Sequence, residues 1–266
     1  MPTASEPSLS AARRALADFA RKSPAGQADI DAVMRALTEH DDWYVPVVYA
    51  DRAWGQATFD QMVAFPEAAP NQNLMVFTDR ESVGHAQGQP IGAYGGGVSG
   101  RSLLASLMGG FAAFTVNHAS PREHQWFISD AGFAIARQWA ATIAAERALG
   151  RLGDGPLPVG ELRAHDGYHL LFSREDQGLT RIRVPAVEGE LAMAFTAPDR
   201  VNEFLVGLSP AQRAEAAFPQ VRGAQLFEMM VEGGVAGLVV NGGSEHQAVL
   251  FRSDLEELAA VGLSAG

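Results

Sequence analysis

The sequence predicts an α+β protein made of two tandem pseudo-symmetric modules, each a mainly antiparallel sheet of roughly five strands covered by helices. Three observations carry that expectation. One motif occurs twice, as Val-Asn-His-Ala-Ser-Pro-Arg-Glu-His-Gln from Val116 to Gln125 and as Val-Asn-Gly-Gly-Ser-Glu-His-Gln from Val240 to Gln247. Its spacing of about 120 residues is too long for a solenoid repeat and suits a duplicated small domain. The order of apolar runs and helix signals around the first copy recurs around the second. The chain has 266 residues, 47% of them hydrophobic, so each half holds enough apolar side chains to bury a core.

In the first half, Ser8 to Arg21 sets Leu9, Ala12, Leu16 and Phe19 at helical spacing, with Arg13, Arg14, Asp18 and Lys22 assigned to the polar side. After a Pro24-Ala-Gly26 break, Ala28 to Glu39 repeats the pattern through Ile30, Val33, Met34 and Leu37. The polar faces are mixed in sign, so these helices are expected to dock within their own domain rather than on a membrane. Trp43 to Ala50 is β-branched and aromatic, with Pro46 pointing to an edge strand or a bulge. Phe59 to Phe65 and Asn73 to Thr78 read as further strands, and Thr78-Asp-Arg-Glu81 as a capping box that starts a helix. Arg101 to Met108 is helical and ends at Gly109-Gly110.

The second half answers in the same order. Tyr168 to Ser173, Thr180 to Val187 and Leu191 to Thr196 are its strands, and Thr196-Ala-Pro-Asp199 starts a helix with Pro in the first turn. Ala224 to Val231 is helical and ends at Gly233-Gly234. In each half a strand, the repeated motif, a strand and a last helix follow, the helix capped by Ser129 or Asp130 in one copy and by Ser253 to Glu256 in the other. The halves are residues 1–150 and 151–266, with helix Ala131 to Leu149 carrying the chain across and Arg151 to Pro158 as linker.

Composition narrows the function classes. Lys and Arg number 20 against 31 Asp and Glu, a formal charge of −11, and Lys22 is the only lysine. An acidic surface repels phosphate backbones, so nucleic acid is not an expected partner. With no cysteine there is no disulfide, thiolate metal site or cysteine nucleophile. No run of 18 apolar residues and no signal-peptide core occurs, which gives the expectation of a cytoplasmic protein with no membrane role.

The residue types that carry chemistry concentrate in the motif: Asn117, Ser120, Glu123, His124 and Gln125, and then Asn241, Ser244, Glu245, His246 and Gln247. Asn241-Gly-Gly is a hairpin signal, so one expectation is a tight turn whose Asn and Ser side chains bond nearby backbone. The other is a carboxylate and an imidazole at a loop tip, usable for acid–base work or metal ligation. Neighbouring strand residues face opposite ways, so Glu and His of one copy are not expected to converge. Gly95 to Ser102 has the glycine spacing of a phosphate-binding loop but Arg101 where Lys belongs, and reads as a loop entering a helix. His40-Asp41-Asp42 and His165-Asp166 read as turns. No catalytic or cofactor fingerprint is present, so no cofactor and no metal are expected.

The Tyr-Val-Pro-Val strand at Tyr44 to Val47, the Val-Phe-Thr strand end at Val76 to Thr78, and the Val-Asn ends at Val116-Asn117 and Val240-Asn241 resemble the SseB family, the bacterial enhanced serine sensitivity proteins. The resemblance covers most of both halves and implies cytoplasmic α+β modules without an established catalytic role or cofactor. The expectation is therefore a non-enzymatic protein acting on a protein partner, with a homodimer as one form of assembly. The alternative is a small-molecule sensor or hydrolase using the Glu-His pairs where the modules meet.

Overall fold

A computed structural model describes residues 10–22, 24–46, 73–86, 94–106, 113–184 and 187–260. The expected strand Phe59 to Phe65, the glycine stop at Gly109-Gly110 and the end of the opening strand beyond Pro46 lie outside the described residues. Those described form a mixed α+β protein with mainly antiparallel sheets. The chain falls into two compact units, Met1–Ala140 and Ala141–Gly266, and the division lies inside a long helix.

The first unit runs α1 (Ala11–Ala20), α2 (Gln27–Glu39), β1 (Trp43–Pro46), β2 (Asn73–Val76), α3 (Arg80–His85), β3 (Tyr94–Val98), α4 (Gly100–Ser106), β4 (Ala113–Val116), a 3-10 turn (Arg122–His124) and β5 (Trp126–Ile128). Helix α5 (Asp130–Leu149) follows. β4 is central, parallel to β2 and antiparallel to β5. β1 pairs with β3 with a register irregularity between Trp43 and Val45, while Pro46, where the bulge was expected, stays in register with Tyr94. Two hydrogen bonds between Tyr44 and Phe77, 2.8 and 2.9 Å, join that pair to β2.

The second unit takes the end of α5 and continues with α6 (Val159–Ala164), β6 (Tyr168–Leu170), β7 (Phe172–Ser173), β8 (Gly178–Leu179), β9 (Leu191–Phe195), α7 (Pro198–Val206) and α8 (Pro210–Glu215). Then come β10 (Ala216–Ala217), β11 (Gln220–Val221), α9 (Gly223–Glu232), β12 (Gly237–Val240), β13 (Ala248–Phe251) and α10 (Arg252–Ala260). Its main sheet has the order β11-β6-β9-β12-β13, with only β9 and β12 parallel. Every residue of β9 and β12 is buried, which explains their unbroken apolar sequence. One face packs Tyr168, Leu170, Ala194 and Val240 against Leu162, Phe227 and Leu258; the other packs Met193, Phe195 and Val239 against Val201 and Phe204.

Several expectations are corrected. Thr180 to Val187 is not a ladder strand: its described residues contribute one bridge, Ile182 to Leu191, and the short β7, β8 and β10 form a separate three-stranded sheet. Asp79, not Thr78, caps α3, accepting from the Ser82 N–H at 2.8 Å. Helix α10 begins before Ser253, and Asp254 reaches back to the Phe251 N–H at 2.8 Å. The 117–125 and 241–247 segments are loops of nine and seven residues, counting from Val116 paired with Trp126 and from Val240 paired with Ala248, rather than tight hairpins. Finally, Arg13 is buried, at 4% exposure, not on the polar side of α1.

Glycine at the first position of α4 and of α9 permits a close approach. A Cβ at Gly100 would stand 2.4 Å from the Leu37 carbonyl oxygen, and one at Gly223 would stand 2.5 Å from that of Leu162. Gly100 N–H donates to the His40 carbonyl (2.6 Å) and Gly223 N–H to the His165 carbonyl (2.8 Å). Each contact joins the start of one helix to the end of another, satisfying groups that helix ends leave open and aligning opposite partial charges. Of the phosphate-loop spacing, only Gly100 serves this junction; Gly95 lies in β3 opposite Val45, so the segment expected as a loop is a strand running into a helix start. Beside it, the Trp43 indole donates to Leu37 O at 3.1 Å and the Tyr168 hydroxyl to Leu162 O at 3.2 Å. Tyr168→Phe is expected to cost about 1 kcal/mol in urea unfolding, the typical worth of one such bond.

Candidate functional site

Asn117 and Asn241 each follow an inner strand, and each has left-handed backbone, at φ 53° and 55°. The main-chain N–H still continues the parallel ladder, from Asn117 to Val76 O and from Asn241 to Ala194 O, both at 2.8 Å. The positive φ then turns the chain out of the sheet, so no backbone carbonyl is left for the next rung. The side-chain carbonyl replaces it: Asn117 Oδ1 accepts from Thr78 N–H and Asn241 Oδ1 from Thr196 N–H, both at 2.9 Å. Asparagine combines tolerance of the left-handed region with an amide able to act as backbone. Both side chains are completely buried.

The rest of the two networks differs. Asn117 Nδ2 donates to Thr78 Oγ1 and to the His124 carbonyl, both at 3.0 Å, whereas Asn241 Nδ2 is buried without a partner. The cause is loop length. The 3-10 turn made by Pro121 and Arg122 in the first loop delivers the His124 carbonyl, and the seven-residue loop has no counterpart. Each threonine lies beside an ion pair supplied by the helices around it, buried at both ends only in the second unit. In the first unit Arg13 of α1 meets Glu81 at 2.8 Å and Asp79 at 3.5 Å. In the second, Glu146 Oε1 accepts from Thr196 Oγ1 at 2.9 Å and from Arg200 Nε at 3.0 Å, and both ionic partners are buried.

Of the remaining motif side chains, the serines and glutamines form no hydrogen bond beyond their own loops among the described residues. Ser244 Oγ donates to Asn241 O at 2.9 Å and accepts from His246 N–H at 3.1 Å, while Ser120 Oγ is buried without a partner. Gln125 Nε2 bonds Ser120 O, and Gln247 Oε1 accepts from Gly243 N–H at 2.9 Å. Glu123 is exposed and His124 buried, so these two diverge. Glu245 and His246 do meet, at 3.4 Å, because they lie in a turn where strand alternation does not apply. Among the described residues no three His, Asp or Glu side chains gather as a metal-ligand set. An open hollow lined by Arg183, Val184, Val187, Gly189 and Glu190 involves none of the ten motif residues.

His40 and His165 end α2 and α6, and their Nε2 groups donate to Thr78 O (2.6 Å) and Thr196 O (2.8 Å). Both thus bind the threonine that the asparagine holds from its other side. The sequence offered a signal for this pairing, since His-Asp precedes the opening strand of each half. Burial holds the imidazoles of His124, His165 and His169 below the ordinary value of 6.5. The unfolded chain then binds more protons than the folded one, so stability is fully present above pH 6.5 and declines as pH falls below it. Urea midpoints measured across this range are expected to drop towards acid.

A scan against protein-family models and a search of curated proteins return no match to this chain. No helix among the described residues is long and apolar enough to cross a membrane.

Proposed function

We propose that this chain is a non-catalytic protein of the SseB type, a tandem duplication of one α+β module that works by binding a protein partner. The observation that supports this reading best is where the repeated motif points: Asn117 and Asn241 are spent on the protein's own strand ends, at Thr78 and Thr196. The duplication is supported by the recurrence of the asparagine, threonine, histidine and glycine contacts in both units. A partner surface is suggested by the last strands of the two sheets, where Phe127 on β5 is 58% exposed and Phe251 on β13 is 51% exposed. Strand edges carrying exposed aromatic side chains are able to receive an added strand.

Affinity capture from the native lysate, with mass spectrometry of both proteins and small ligands, tests this reading. Wild-type protein is expected to retain a protein that the Phe127→Asp and Phe251→Asp variants retain poorly. A small ligand retained by wild type and lost from a Glu245→Gln/His246→Gln variant would overturn the reading in favour of a ligand site at the second loop.

A further inference from the structure

Arg13 joins three segments of the first unit. It rises from α1, takes the carboxylates of Glu81 and Asp79 from the start of α3, and directs Nη2 at His124 Nδ1 across 3.1 Å. Both ends of that last contact are buried, Arg13 at 4% and His124 at 9% exposure. A guanidinium has five N–H donors and no acceptor, so the nitrogen it faces must carry a lone pair. The neutral His124 ring therefore holds its proton on Nε2. An imidazolium has N–H at both positions, and one added proton turns the contact into two donors and two positive charges face to face.

We propose that Arg13 and His124 form an acid-released latch that fastens α1 to the 117–125 loop. The groups around His124 are Arg13 from α1, Asp79 and Glu81 from the start of α3, and Glu123 from its own turn. The three carboxylates favour the imidazolium, but burial, the largest effect, and then Arg13 outweigh them, so the ring stays neutral near neutral pH. Between the two partners, Arg13 is retained by its carboxylates, and His124 leaves with the turn. That departure withdraws the carbonyl from Asn117 Nδ2 and loosens the edge-to-face contact of Phe19 in α1 with Trp126, whose ring centroids are 4.4 Å apart. In the second unit the ion pair beside Thr196 is Glu146 with Arg200, with no imidazole between them.

The test is a titration of protein labelled with 5-fluorotryptophan from about pH 7.5 to 5, the range in which histidine changes charge. Trp126 is assigned from a Trp126→Phe sample, and His124 is followed through its ring nitrogens. His124 is expected to titrate below 6.5, the Trp126 fluorine signal to move in step, and the protection of amides in residues 118–125, relative to their intrinsic exchange rate at each pH, to fall about tenfold as the loop opens. His124→Asn places an acceptor near Nδ1 without a titrating group, and should abolish the Trp126 shift. The proposal is overturned if His124 titrates while Trp126 stays still, or if the variant keeps the shift. The wild-type titration decides the matter even where the variant does not fold.

Discussion

Gly100→Ala and Gly223→Ala are each expected to destabilise their unit by about 3 kcal/mol, lowering the thermal midpoint by roughly 10 °C. Helix propensity alone predicts the opposite sign, because alanine is the better helix former by about 1 kcal/mol. Contact geometry decides between them. The new Cβ would stand 2.4 Å from Leu37 O and 2.8 Å from both Thr38 O and His40 O at Gly100, and 2.5 Å from Leu162 O at Gly223. These neighbours are backbone atoms of a helix end, so relief requires moving one helix against the other and stretching the Gly100 to His40 or Gly223 to His165 hydrogen bond. Gly97, with no atom within 4 Å of its built Cβ but a φ of 83°, serves as a contrast in which only backbone strain applies. Calorimetry of the three variants separates crowding from conformation.

Asn117→Ala is expected to cost about 3 kcal/mol or more by two routes shared with Asn241, to which loss of the Nδ2 bonds to Thr78 Oγ1 and His124 O is added. Alanine pays about 1–2 kcal/mol for the left-handed backbone at φ 53°, and the buried Thr78 N–H loses its only side-chain acceptor, worth about 1–3 kcal/mol. Asn117→Gly removes the first cost and keeps the second, so it should fall between wild type and alanine. Asn241→Ala should cost less than Asn117→Ala, because Asn241 Nδ2 has no partner to lose. Urea unfolding of the three variants gives the ranking.

Much of the fold was legible because it is local. The unbroken apolar runs at Leu191 to Phe195 and Gly237 to Val240 announce strands buried on both faces, and Gly233-Gly234 does end α9, with Gly234 at φ 65°. Pro198 stands in the first turn of α7 as its sequence suggested. Where partners are remote, local patterns misled. Thr78 looked like a cap because Glu81 follows it, yet its N–H is claimed by Asn117, 39 residues away, and Glu81 by Arg13, 68 residues away. Arg13 looked solvent-facing for the same reason. Helix α8 is announced by the Ser209 to Gln212 capping box, with Pro210 between them, a signal local enough to be legible in the sequence. The motif itself was visible twice, but its asparagines read as turn residues because nothing nearby reveals a side chain completing a parallel ladder. The same backbone demand explains Ala119 at φ 64° where the second loop has Gly243 at 82°.

The claim that the repeated asparagine extends the sheet with its side chain is tested most directly by amide hydrogen exchange at Thr78 and Thr196. Neither N–H lies in a β ladder, yet both should exchange as slowly as the amides of Val76, Ala194 and Val240, and Thr78 should become fast in Asn117→Ala. Exchange of both threonines at the rate of an open turn in the wild-type protein would contradict the account.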